Sequence, residues 1–342
     1  MTIPAIGDPR DRVDGRAKVT GSARFAAENN LDGIVHAVLV TSTIPSGTIR
    51  TFDTAQAKKV PGVIAILTHL NAPKLKPLGE APGFAEPHHL PLSDATIHYV
   101  GQHIAVVVAD TLEHATHAAE LVRVTYADKP AKISLANHRG EAKDRTQNGL
   151  DNHFSKGDAD AAFASAPIKI DYTYRTPYEH HNPIEAHSIV AAWNGDQLTL
   201  HDSSQNIFAV RQTIAKAFDV PKENVRVLSP FVGGAFGSKG SSWPHVLVGV
   251  MAARVVKRPV KLVVTRKQLF FAAGHRPATE QRVALGANSD GKLVALIHDG
   301  ICQSNDVCDY TERTSRPSRA IYAVDNMRVA HRVVELNLSS PT

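Results

Sequence analysis

Val232-Gly233-Gly234-Ala235-Phe236-Gly237-Ser238-Lys239-Gly240 lies between a β-branched run, Val225–Ser229, and a helical pattern, Trp243–Val256. A strand–loop–helix junction of this kind turns consecutive backbone amides toward an anion and adds the positive end of the helix dipole. Its glycines let a ligand approach the backbone with no Cβ in the way. The stretch is not a P-loop, because Ser238 precedes Lys239 and the required glycine spacing is absent. Nor can G-x-G-x-x-G be drawn through Gly233, Gly234 and Gly237. On this stretch alone, a ligand cradle and a tight structural connector both stay open.

Around the loop, the pattern reads as α+β. Ile207, Val210, Ile214 and Ala217 mark one helix face ending before Pro221. Ile189–Trp193 and Gln197–His201 flank Asn194-Gly195, a hairpin signal because both turn positions tolerate positive φ. Ile168, Ile170, Tyr172 and Tyr174 alternate with polar residues, the period of a half-buried strand. Val260–Arg266 reads as a strand, and Gln281–Gly286 with Lys292–Ile301 as a hairpin around Ser289-Asp290-Gly291. Toward the N-terminus, Ile34–Ser42, Gly62–Thr68 and Ile104–Ala109 are strand-like, with Thr54–Lys59 a short helical candidate. Asp110-Thr-Leu-Glu113 has the form of a capping box before Leu112, Ala115, Ala119 and Val122, and a strand follows at 122–127. Residues 128–166 are polar and read as a connection. The expected division is therefore an α/β unit over 1–135, a connecting segment over 136–166, and an α+β unit over 167–342.

Composition excludes several classes. With 342 residues, 43% apolar and 21% charged, the chain is globular rather than disordered, collagen-like or coiled coil. A net charge of 38 − 33 = +5 demands no nucleic-acid partner. The two cysteines, Cys302 and Cys308, have no CxxC or zinc spacing, which excludes a disulfide scaffold and argues against iron–sulfur ligation. The opening from Met1 to Asp11 lacks the apolar core of a signal peptide. The longest apolar stretches, Ile104–Ala109 and Val246–Val256, are too short to span a membrane. A soluble protein of a reducing compartment is expected.

Other clusters are weaker. Glu179-His180-His181-Asn-Pro-Ile-Glu185-Ala-His187 invites a zinc reading, but its spacing is not a known metal pattern and Pro183 breaks the helix such ligands use. Packing histidines are the preferred reading. Six basic residues between Arg254 and Lys267 read as a solvated face rather than an anion patch. Arg313, Arg316 and Arg319 are spaced to lie along one helical face, for salt bridges or for a polar substrate group. No Ser-His-Asp arrangement, nucleophile elbow or catalytic cysteine context is present.

Taken together, these segments resemble the molybdenum-cofactor subunit of the xanthine dehydrogenase/aldehyde oxidase family, the molybdenum hydroxylases. The resemblance is carried by Asp11-Arg-Val-Asp-Gly15 with Lys18-Val-Thr-Gly21, Tyr99-Val-Gly-Gln102 and Glu113-His-Ala, and Glu185-Ala-His187 in place of the family's Glu-Pro-His. Ser204-Gln205, Val225-Arg-Val227 and Val232–Lys239 complete it. It implies an α/β hammerhead-like domain followed by the first molybdopterin-binding domain. It implies that Gln205 hydrogen-bonds at the molybdenum centre, and that Gly233, Gly234, Ala235, Phe236 and Gly237 bring backbone amides to the metal and pterin. Gln205 and Phe236 would thus form the molybdenum environment, and Arg313 matches a position where some members orient substrate.

Two departures shape the expectation. Gly240 stands where purine-oxidising members carry a glutamate, which favours an aldehyde over a xanthine-like heterocycle. Family subunits are also substantially longer, so the chain resembles their N-terminal half, and the general-base glutamate is expected beyond Thr342. The implied reaction oxidises an aldehyde to a carboxylic acid with water as the oxygen source. The implied cofactor is molybdenum-molybdopterin in its cytosine dinucleotide form, with electrons leaving through iron–sulfur and FAD partner subunits. A complementary C-terminal half would complete the assembly. The expected location is cytoplasmic, or periplasmic if a partner carries the export signal. A non-catalytic cofactor-binding or scaffold fragment is the competing class, whereas an ordinary nucleotide-binding enzyme is disfavoured by the missing phosphate fingerprint.

Overall fold

A computed structural model describes residues 7, 9–79, 89–146 and 151–342 of the chain. Much of the Met1–Asp11 opening, and residues 147–150 of the expected connection, lie outside the described residues.

The described elements begin with α1 (Gly15–Val19), β1 (Val35–Thr41), β2 (Gly47–Asp53), β3 (Val63–Thr68), β4 (Thr96–Ile97), β5 (His103–Ala109), α2 (Leu112–Leu121) and β6 (Arg123–Asp128). There follow α3 (Leu135–His138), β7 (His153–Lys156), α4 (Ala159–Ser165), β8 (Ile168–Thr176), β9 (Ser188–Asn194), β10 (Gln197–Asp202), α5 (Ile207–Phe218) and β11 (Val225–Leu228). The last are α6 (Pro244–Val256), β12 (Val260–Val263), α7 (Arg266–Ala272), β13 (Thr279–Ala287), β14 (Leu293–Ser304), α8 (Ser318–Ile321) and β15 (Asn326–Glu335). This is the expected α+β class.

Three sheets organise these elements. A seven-stranded mixed sheet runs β11-β10-β9-β12-β1-β5-β3, a second runs β7-β15-β14-β13-β8, and a small third runs β4-β2-β6. The first sheet unites strands from both sides of the 136–166 segment, through a parallel ladder of Val35, His36 and Ala37 with Val260, Lys261 and Leu262. β5 lies between β1 and β3, which explains why all seven of its residues are buried and why it reads as one apolar run. α6 is apolar around its circumference because it packs on β9 and β12, with Val248, Val250 and Met251 fully buried. α5 adds Val210 and Ile214 to the same core, and its crossover lets β10 and β11 pair in parallel. No helix among the described residues is long and apolar enough to cross a membrane.

Several sequence expectations are corrected. The 136–166 segment is not a bare connector: it contributes α3, the edge strand β7, and α4, whose first turn Asp158 caps by accepting from the Ala161 amide at 3.0 Å. The cap of α2 is Thr111, which accepts from the His114 amide, while Asp110 instead contacts His114 Nδ1 at 2.6 Å. The first hairpin turns at Gly195-Asp196, one residue later than expected, because Asn194 pairs with Gln197. The strand at 260 ends at Val263, since Thr265 caps α7. β8 is exposed along its whole length rather than half-buried, because among the described residues no layer packs over its faces. Arg313, Arg316 and Arg319 do not share a helix; only Arg319 enters α8, stacking over Phe154 at 4.1 Å.

Candidate functional site

The loop after β11 is shaped by its glycines and held from several sides. A Cβ on Gly233 would stand 2.5 Å from Glu185 Cβ, so this close approach admits no side chain. Gly237 has φ +102°, and a Cβ there would stand 2.8 Å from Arg276 Nη2. Phe236, with a side chain, also adopts a left-handed backbone at φ +55°, at a cost of roughly 1–2 kcal/mol. Among the described residues, the amides of Gly234, Ala235, Phe236 and Gly237 meet no hydrogen-bond acceptor. With φ positive at Gly234, Phe236 and Gly237 but not at Ala235, these amides form a nest suited to a negatively charged oxygen.

The loop's carbonyls and ends are fixed by groups of the surrounding segments. The Gly233 amide and Lys239 Nζ both donate to Glu185 Oε2, each at 2.7 Å. The Ser238 carbonyl accepts from Trp243 Nε1 and lies 3.2 Å from His187 Nε2. Arg276 Nη2 donates to the Phe236 carbonyl at 3.0 Å, and Arg276 Nη1 to the Thr342 carbonyl at 2.9 Å. The Gln205 amide donates to the Lys239 carbonyl at 2.8 Å, which sets Gln205 beside the loop's end.

Beneath the loop, charge is desolvated. Lys239 is fully buried, and burial lowers its pKa while the Glu185 carboxylate opposes that shift. Burial pushes the Asp202 carboxyl up to about 7, against the pull of Lys239. Burial likewise drives His187 and His275 down to about 3 and His181 to about 4, so these imidazoles are neutral. No metal-holding group of His, Cys, Asp and Glu occurs among the described residues. His187 packs edge-on to His245, and His180 edge-on to Tyr178, contacts that accord with the packing reading of the histidine segment. The basic residues from Arg254 to Lys267 are dispersed: Arg258 donates to the Gly33 carbonyl, Lys261 to Asn30, and Arg266 to the Pro183 and Ile184 carbonyls.

A cavity of about 540 Å³ opens next to the loop, with Gln205, Gly237, Gly240, Arg276, Glu312 and Arg313 on its walls. Four of the residues singled out from sequence thus meet there: Gln205, Gly237, Gly240 and Arg313. Gly233, Gly234, Ala235 and Phe236 belong to the adjoining loop and do not line the cavity, and Phe236 is 66% exposed. Burial and the neighbouring Arg316 hold the Arg313 pKa below its ordinary value. Tyr310 also lines the cavity, and its Oη donates to Glu312 Oε2 at 2.6 Å.

Sequence reasoning did not assign roles to Glu185, Arg276, Tyr310 or Glu312. Glu185 and Lys239 stand 54 positions apart, and no local periodicity signals a pair formed across the fold. The Glu185-Ala-His187 similarity was the one available hint.

Comparisons with known proteins identify the family and the fold. The family model for a molybdopterin cofactor-binding domain matches residues 141–342, and the model for the aldehyde oxidase and xanthine dehydrogenase a/b hammerhead domain matches 20–130. The chain is 38% identical over 339 residues to the aldehyde oxidoreductase molybdenum-binding subunit PaoC of Escherichia coli (strain K12), covering 98% of this chain and 45% of that one. It is 29% identical over 300 residues to the xanthine dehydrogenase molybdenum-binding subunit of Escherichia coli O157:H7, covering 82% and 39%. Among solved structures, CO dehydrogenase from Oligotropha carboxidovorans superposes with a TM-score of 0.84 at 25% identity, covering 98% of this chain and 45% of that one. The aldehyde oxidoreductase from Desulfovibrio gigas shares the fold, with a TM-score of 0.82 at 24% identity over 96% and 38%. The chain spans less than half the length of these curated relatives.

Proposed function

Because this chain belongs to the xanthine dehydrogenase/aldehyde oxidase family of molybdenum-cofactor-binding subunits, we propose that it forms one wall of an aldehyde-oxidising molybdenum site. The observation carrying this reading is the row of amides at 234–237, which meet no acceptor among the described residues and adjoin the cavity that Gln205 lines. The donor set fits an anionic pterin and an oxo-bearing metal: backbone N–H groups, one carboxamide, and glycines that allow close approach. When bound, the cofactor accepts the electron pair as aldehyde and water become carboxylic acid, two protons and two electrons.

The chain's own residues hold and orient. The Gly234–Gly237 amides present fixed dipoles to the cofactor's charged oxygens, an arrangement needing no reorganisation during reaction, whereas the Gly233 amide is taken up by Glu185. Gln205, anchored through its amide to Lys239, offers its carboxamide to the molybdenum environment, and Phe236 offers its backbone amide. Arg313 holds a polar group of the substrate, and Gly240 leaves room beside it. The small side chain at 240 and the resemblance to an aldehyde oxidoreductase subunit favour an aldehyde over a purine.

The remaining parts belong to the same proposal. The cofactor is the cytosine dinucleotide form, electrons pass to iron–sulfur and FAD subunits, and a complementary half supplies the proton acceptor and the other cofactor walls. The 342 residues alone are then catalytically silent. The matched spans 20–130 and 141–342 support a division near residue 135 into hammerhead-like and first cofactor-binding units. A cytoplasmic location accords with this assembly.

The test is to produce the chain with and without a segment equivalent to the rest of the relatives' subunit, and to measure molybdenum, released pterin and aldehyde-dependent dye reduction. Cofactor and turnover should appear only in the paired sample, and Gln205→Ala should lower turnover about a hundredfold. Turnover by the chain alone would overturn the division of labour, and pterin-free pairs would overturn the reading itself.

A further inference from the structure

One carboxylate oxygen holds both ends of the amide loop. Glu185 Oε2 accepts from the Gly233 amide at the loop's start and from Lys239 Nζ at its end, each at 2.7 Å. The Glu185 amide also donates to the Gly233 carbonyl at 3.0 Å, closing a reciprocal pair with the loop. Lys239 is fully buried, and Glu185 is its one ion-pair partner among the described residues. The second carboxylate oxygen, Oε1, is buried without a hydrogen-bond partner among them. The side chain's polar interactions are therefore all directed at the loop.

Between these two anchors lie Gly234, Phe236 and Gly237 in left-handed conformations, a run the backbone does not hold by itself. A buried lysine without its carboxylate would be an uncompensated charge and would draw the loop's end toward water. The Arg276 and Gln205 contacts fix single carbonyls, whereas Glu185 joins the two ends.

We propose that Glu185 is the positioning residue of the cofactor-facing loop, clamping Gly233 to Lys239 so that the intervening amides keep one orientation. It acts through the backbone and touches no reacting atom. The inference rests on the cofactor reading of this loop for its purpose, but the clamp itself is measurable in the chain as it stands.

The experiment is residue-resolved hydrogen exchange on the 342-residue chain, followed by pterin content in the chain paired with its complementary segment. Glu185→Ala should speed exchange of the 233–239 amides about tenfold or more, leaving β5 and β14 at wild-type rates. Glu185→Gln keeps an acceptor for the Gly233 amide but strands the lysine charge, and should loosen the 239 end more than the 233 end. The pair Glu185→Gln/Lys239→Met removes the stranded charge but also the bridge, so the 239 end should still exchange several-fold faster than wild type, which separates the clamp from the cost of a lone buried charge. Should Glu185→Ala fail to fold, the glutamine variant and the double variant carry the test. Wild-type exchange in the loop of Glu185→Gln, or of the double variant, overturns the clamp. A loosened loop with undiminished pterin sustains the clamp and overturns the cofactor reading.

Discussion

Asp202 shows how a single buried group couples the site to pH. It ends β10 beneath the loop, and burial raises its pKa from 3.8 to about 7. Between pH 4 and 7 the folded chain keeps a proton that the unfolded chain has released. Its contribution to stability is therefore greatest below 3.8 and is lost as pH rises through about 7, at up to about 1.4 kcal/mol per pH unit. Asp202→Asn should flatten the fall in melting temperature between pH 5 and 7. Equal slopes for variant and wild type in a calorimetric pH series would count against the assignment. The loop glycines could be picked out from sequence, since residue type alone carries a glycine's freedom, and Gln205 only through the family resemblance. The Glu185 to Lys239 bond could not, because nothing within either segment specifies the other.

At the scale of elements, periodicity identified most strands and helices but not their surroundings. The alternation Ile168, Ile170, Tyr172, Tyr174 marks β8 correctly, yet all four are 46–64% exposed. Alternation reports that one face is apolar, while burial depends on whether another layer covers it. β8 is also an edge strand, so its outer backbone groups are open to pairing. The chain should self-associate with rising concentration through this strand, and Ile170→Lys/Tyr172→Lys should abolish that association in sedimentation velocity. Unchanged association in the double variant would locate the sticky surface elsewhere. β2 and β15 escaped the sequence reading: β2 is polar on one face, and β15 mixes charged and apolar residues while pairing in parallel with β14.

Across the whole molecule, the seven-stranded sheet joins strands from before and after the 136–166 segment. The joint is the β1–β12 ladder, where Ala37 pairs with Leu262 and both are buried. Leu262→Ala should cost about 2–5 kcal/mol and lower protection of β5 and β9 amides together, since the cavity opens at the shared seam. Loss of protection in β9 alone, with β5 intact, would mean that the two parts unfold independently.

The sequence by itself determined the α+β class, the order of most elements, the position of the glycine loop and the family resemblance. These follow from short-range properties: hydrophobic period, turn chemistry and residue types such as glycine that dictate backbone freedom. The tertiary structure alone decided that strands from both sides of the 136–166 segment share a sheet, that β8 lies bare, and that the three arginines do not align. It also decided the contacts that fix the loop: Glu185 on Gly233 and Lys239, Arg276 on Phe236, Gln205 against Lys239. Each joins residues tens of positions apart, so it arises from how layers pack and not from any pattern legible within one segment.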